Sequence, residues 1–186
     1  MTNWIMSLTD GTTQAEAGVV WTRYAHLKPD DHPAGQGTVL EDAAKGDLSF
    51  VLTREPLFGP VLHQSQITLP AGPVLLRLDE VFFPPGAIAY RHVHPGPGIR
   101  HLVRGRLHLQ ADDHAFEAAP GDSWFEDANS PVRATALEQS SFVRFMVLPP
   151  EFAGKSTLTI LSDEDRARPR RQQTHRHVDA LIHPGQ

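Results

Sequence analysis

Two histidines one residue apart, His92 and His94, are the groups in this sequence best placed to do chemistry. On an extended strand alternate side chains share a face, so the two imidazoles would project to one side, about 7 Å apart along the chain. Neutral imidazole is the commonest protein metal ligand, and two rings so placed can converge on one ion. Tyr90 would share their face, while Arg91 and Val93 would point away. The chain has 186 residues, eleven histidines and no cysteine. That excludes disulfides, thiolate-held zinc and thiol catalysis, and leaves imidazole and carboxylate to hold any metal. His175-Arg176-His177 repeats the spacing, but its surroundings of arginine and glutamine read as a solvated tail. Pro95-Gly96-Pro97-Gly98 is not a phosphate cradle, since proline removes the N–H groups an anion needs and no Lys-Ser or Lys-Thr helix follows. No nucleophile elbow of the Ser-His-Asp kind is recognisable.

The elements that must position these residues are strands. Gly 14 and Pro 16 are high counts for this length, and such punctuation favours short strands over long helices. From residue 59 to 150 turn signals recur roughly every 6 to 12 residues, the spacing of an antiparallel sandwich or barrel. Strands are predicted over 61–69, 74–83, 87–94, 99–104, 106–110, 115–119, 123–126, 132–137 and 141–148. The run Val74–Phe83 is apolar enough to be buried on both faces. Residues 1–47 are polar without a sustained period and are expected to form an arm packed on a barrel or on a partner subunit. Residues 48–150 are the expected barrel. Residues 151–186 are a basic extension whose segment Val178–Ile182 could add a strand or a short helix. Lys+Arg 17 against Asp+Glu 22 gives a net charge of −5, which leaves no basic footprint for nucleic acid. No stretch is long and apolar enough for a membrane span, and the first residues lack the features of a signal peptide; a cytoplasmic location is expected.

Gly86, His92, His94 and Gly105, in that order and spacing, resemble the first motif of the cupins, and Pro120-Gly121-Asp122 before a short apolar strand resembles the start of the second. The resemblance covers roughly residues 70 to 150. It implies an all-β fold, a double-stranded β-helix (jelly-roll) barrel, and an interior pocket in which three His and one Glu commonly hold a divalent metal such as Fe, Mn, Zn or Ni. Only His92 and His94 carry over. Gly98 stands where the family's Glu usually falls, and Val132 where its last His falls. Glu126, ending the Trp124-Phe125 strand near that lost His, is the candidate third ligand. His101 is the other candidate, although parity counted from position 98 puts it on the outer face and turns Arg100 inward. An inward Arg100 needs a carboxylate, from Glu126 or from an acidic ligand that it would anchor. Tyr90 is then a candidate proton donor or positioning group.

Two functions follow. One is a metal-dependent enzyme, dioxygenase or isomerase-like, acting on a small organic and possibly acidic substrate in the barrel. The other is a non-catalytic cupin that binds a small molecule with an incomplete or absent metal site. A purely structural barrel would instead be filled by Tyr90, Leu102, Phe125 and Val132. The resemblance and the flanking segments also lead us to expect a homodimer.

Overall fold

Polar as its composition is, the N-terminal segment folds into strands β1 (Thr2–Asp10), β2 (Ala17–Arg23) and β3 (Gly35–Val39). These join β4 (Leu48–Thr53) and β5 (Val61–Leu69) in an antiparallel sheet ordered β3-β2-β4-β1-β5. This computed structural model describes residues 1–184 apart from 12, 14, 27, 29, 30 and 41–45. The stretch expected to be an arm therefore supplies three of five strands of a sheet. Its pattern is hard to read because apolar alternation lasts only from Trp4 through Met6 to Leu8, and the intervening Ser7 is buried too. A polar residue buried between strands hides the period that would announce the strand.

The remaining strands are β6 (Val74–Phe83), β7 (Ile88–Val93), β8 (Gly98–Arg104), β9 (Leu107–Ala111), β10 (Ala115–Ala118), β11 (Ser123–Glu126), β12 (Val132–Ala136), β13 (Ser140–Leu148), β14 (Thr159–Ile160) and β15 (Gln173–Ile182). A four-residue helix, α1 (Asp163–Arg166), lies between the last two. They build two antiparallel sheets, β10-β9-β12-β7-β14 and β11-β8-β13-β6-β15, which together make the expected jelly-roll barrel. The predicted strands from 61 to 148 all form, with ends shifted by a residue or two.

β6 explains how the layers stack. Its odd-numbered residues Arg77, Asp79, Val81 and Phe83 face the barrel interior. Its even-numbered Leu76 and Leu78 face outward, into one apolar core with Trp4, Met6, Leu8, Trp21, Phe50 and Leu52 of the N-terminal sheet. Ile99 and Val103 of β8 and Val143 and Phe145 of β13 join that same core. The N-terminal sheet thus covers the outside of the β11-β8-β13-β6-β15 sheet, which is why its central strands read as continuous apolar runs. β15, longer than the segment expected from the sequence, pairs along nearly the whole of β6 and is the outermost strand of that sheet.

Candidate active site

The barrel encloses a cavity of about 440 Å³, a size typical of small-molecule sites. One side is apolar, with Val81, Phe83, Leu109, Trp124, Val132 and Phe142. The other is charged. Five arginines (Arg77, Arg100, Arg144, Arg170 and Arg176) line it with two carboxylates, Asp79 and Glu126. A barrel filled by its own side chains is therefore not what forms.

His92 and His94 both line the cavity, with ring centroids 5.0 Å apart and planes nearly perpendicular. Tyr90 does not. Val132 pairs with His92, but Ala134 pairs with Ala89, so β7 carries one extra residue between those positions. Such a bulge reverses parity. Ala89 takes the inward place, and the Tyr90 ring lies outside the cavity with the Arg168 guanidinium 5.6 Å from its centroid. What Tyr90 contributes is its carbonyl, which accepts a hydrogen bond from His92 Nδ1–H at 2.6 Å. His92 then turns Nε2, as a lone-pair acceptor, to the interior. His101 lies outside the cavity, as parity predicts, with Nδ1 2.8 Å from Ser123 Oγ.

Arg100 and Glu126 come together inside. Arg100 is 2% exposed; one of its terminal nitrogens donates to the Gly98 carbonyl at 2.6 Å and the other meets Glu126 at 2.7 Å. Trp124 Nε1 donates to the second Glu126 oxygen at 2.9 Å. Burial draws the Arg100 pKa down to about 10, with Glu126 opposing and Arg144 adding to the shift, so it stays charged at neutral pH. Gly98 makes this possible. A Cβ there would stand 2.5 Å from the Phe145 carbonyl and 3.0 Å from an Arg100 terminal nitrogen. The place where the family resemblance expects a Glu side chain is thus closed by backbone and by a guanidinium.

Sequence reasoning missed Arg144 and Asp79, which complete the charged wall. Arg144 donates through Nε (3.2 Å) and one terminal nitrogen (2.9 Å) to Asp79 Oδ2, and its other terminal nitrogen stands 3.1 Å from His94 Nε2. Guanidinium only donates, so His94 Nε2 is the acceptor and its proton sits on Nδ1, facing the Thr157 carbonyl at 3.2 Å and its hydroxyl at 3.0 Å. The available signal was charge inside apolar strands: Arg144 alone in Phe142–Val147, and Arg77, Asp79 and Glu80 within Leu75–Val81. Ser156, Thr157, Leu158, Gln172 and Thr174 also line the cavity, so the extension after residue 150 walls the site rather than trailing in solvent.

This donor set does not fit a metal. His94 Nε2 is taken by a cation, Glu126 is held by Arg100 and Trp124, Val132 stands across from His92 where a third imidazole was expected, and two guanidinium groups face the space between. Among the described residues no group of three His, Cys, Asp or Glu side chains is placed to hold an ion. The candidate ligands His92, His94 and Glu126 do share one cavity, but as members of an ion-pair network.

Both imidazoles are held neutral. Burial is the first cause for each, and the Arg144 and Arg100 charges push the same way; for His92 the Glu126 charge and the Tyr90 carbonyl oppose. His94 lies well below its ordinary 6.5. The unfolded chain therefore takes up protons that the folded chain refuses, and stability falls as pH drops below 6.5, while above about pH 7 this contribution is constant. Urea midpoints measured from pH 8 to pH 5 are expected to show that fall, at up to about 1.4 kcal/mol per pH unit for each histidine. His94→Asn should make the fall shallower; an unchanged slope would place the effect elsewhere.

A family profile described as a cupin domain matches residues 79–148. No curated protein matches the sequence. Among solved structures, an RmlC-like cupin from Shewanella frigidimarina is 22% identical over 39% of this chain and 66% of its own, with a TM-score of 0.38. KdgF from Halomonas sp. is 25% identical over 39% and 69%, with a TM-score of 0.35. A variant of salicylate 1,2-dioxygenase from Pseudoaminobacter salicylatoxidans, solved with gentisate, is 17% identical over 38% and 20%, with a TM-score of 0.37. The match to the first of these spans just under two thirds of that protein's length. Among the described residues no helix is long and apolar enough to cross a membrane.

Proposed function

Residues 79–148 of this chain are a cupin domain, and from that premise we propose that its interior binds a small organic acid with an apolar body, without a divalent metal. The observation that carries the reading is the Arg144 guanidinium on His94 Nε2. It occupies the lone pair a metal would use and presents remaining N–H groups to a cavity in which arginines outnumber carboxylates. A carboxylate is the natural complement of such a wall, because guanidinium binds it through paired, charge-assisted hydrogen bonds. Phe83, Trp124 and Phe142 opposite would cover the apolar body. Of the two functions raised by the sequence, this is the binding cupin.

Calorimetry with phenylacetate and hexanoate, each against its primary amide, tests this. The acids are expected to bind and the amides to bind at least about tenfold more weakly, one charge-assisted pair being worth roughly 1.5–3 kcal/mol. Equal binding of acid and amide, or no binding of either, would remove the proposal.

One observation supports a catalytic version of the same site. His92 keeps Nδ1–H on the Tyr90 carbonyl and turns an unprotonated Nε2 inward, the state of a general base. Beside an arginine-held carboxylate it could move a proton on the adjacent carbon, an isomerase-like step. Deuterium uptake from D₂O into a bound acid, lost in His92→Asn, is the expected sign. We also propose a homodimer; sedimentation should give twice the chain mass at micromolar concentration, and the single-chain mass would refute it.

A further inference from the structure

We infer that Glu80, His32, His175 and His177 form a second site, on the outside of the barrel, that takes a divalent transition metal of the zinc class. It is independent of the organic-acid reading. Asp79 faces the cavity, so the next residue on β6, Glu80, faces the opposite way. There, at the junction with the N-terminal sheet, Glu80 is fully buried. Its Oε1 accepts from the Ala34 N–H at 2.7 Å and from Ser141 Oγ at 3.1 Å. Its Oε2 is buried and accepts no hydrogen bond.

Imidazoles surround this carboxylate. His177 Nε2 is 3.5 Å from Oε2, and His32 Nδ1 is 3.5 Å from Oε1. The His177 side chain is 4% exposed and that of His32 11%. His177 Nε2 and both ring nitrogens of His32 are buried without a hydrogen-bond partner. The exposed His175 ring stands 4.7 Å from that of His177 and 6.4 Å from that of His32, centroid to centroid. The packing that holds the group is tight. A Cβ on Gly37 of β3 would come within 3.0 Å of His177 Cβ and 2.3 Å of a Leu78 methyl.

Charge and donor chemistry point to a cation. The imidazoles of His32 and His177 both stand within ion-pair distance of Glu80. Burial would raise its pKa, yet contacts from His177, His32, the Ala34 N–H and Ser141 outweigh burial and hold it at about 2. It is therefore an anion inside the protein, a costly arrangement unless a positive charge meets it. Nitrogen and carboxylate ligands with no thiolate suit Zn²⁺, Co²⁺ or Ni²⁺. Donor atoms 3.5 Å apart lie close to the edge of a tetrahedron with bonds of about 2.1 Å. The Ala34 and Ser141 donors on Oε1 would orient Oε2, as outer partners commonly orient a ligating carboxylate. Among the described residues no three such groups stand where they could hold an ion, so uptake requires His32 or the exposed His175 to change rotamer. The three segments lie far apart in sequence, so an ion here would staple the N-terminal sheet to β6 and β15.

The test uses the untagged full chain, stripped with chelator and titrated with Zn²⁺ by calorimetry and with Co²⁺ by visible absorption. One equivalent is expected, with the intense bands of tetrahedral Co²⁺. Glu80→Gln should weaken uptake by at least about 100-fold, and His175→Asn, at an exposed position, by at least about tenfold. His92→Asn combined with His94→Asn should leave it unchanged. At 100 times its Kd, Zn²⁺ should raise the Tm of the native chain by about 5–10 °C. Absence of uptake, as when protonated imidazole alone meets Glu80, would overturn the inference. So would undiminished uptake by His175→Asn, or loss of uptake in the His92 and His94 double variant, which would move the ion into the barrel. Failure of the organic acids to bind would leave all of these outcomes unaltered.

Discussion

Arg144→Met is expected to lower stability by about 3–5 kcal/mol, because it leaves the Asp79 carboxylate buried without its main partner. Asp79 is 1% exposed, and Arg144 supplies both of the hydrogen bonds on its Oδ2. Arg176, whose Nε stands 3.5 Å from Oδ1, is too distant and too exposed to take over. Adding Asp79→Asn to Arg144→Met removes the stranded charge and should restore most of the loss, since replacing both members of a buried pair is often nearly neutral. Denaturant unfolding of the two single variants, the double variant and the parent gives the coupling directly. The same Arg144→Met change should cut affinity for an organic acid by roughly 30- to 5,000-fold, the usual range for truncating one partner of a buried charge pair. A variant as stable as the parent, or one that binds acids equally well, would show that the charged wall is incidental.

Phe145→Ala is expected to cost about 3–5 kcal/mol and to lower the melting midpoint by about 10 °C or more while the protein still unfolds in one transition. Phe145 is completely buried on the outer face of β13, and its ring centroid is 5.8 Å from that of Phe50 in the N-terminal sheet. Removing the ring opens a cavity between the two layers rather than inside the ligand pocket. If the layers share one core, as the cluster around Leu78, Phe50 and Trp4 indicates, both melt together. Two transitions, with only one displaced by the substitution, would mean that the N-terminal sheet is a separate unit. Circular dichroism, for the sheets, and tryptophan fluorescence, from Trp4 and Trp21 in the N-terminal sheet and Trp124 in the barrel, should therefore trace one curve.

The sequence by itself determined the strands from 61 to 148 and the pair of imidazoles in the interior. Those features are local: Pro, Gly and Asp set turns between short apolar runs, and side-chain alternation is a property of the strand. It also determined that Gly98 and Val132 stand where metal ligands would be expected, and that Arg100 turns inward to meet a carboxylate.

Tertiary structure alone decided the rest. The bulge in β7 that removes Tyr90 from the cavity appears only when β12 is set beside it, because register belongs to a pair of strands and not to either one. Arg144 reads as a stray charge until Asp79, 65 residues earlier in the chain, arrives 2.9 Å away. The N-terminal strands have too little alternation to announce themselves, and they are strands because the outer face of β6, β8 and β13 offers them apolar surface to cover. His177 looks like part of a solvated tail for a similar reason: whether an imidazole meets water or a buried Glu80 depends on where β15 docks, and sequence spacing does not encode docking.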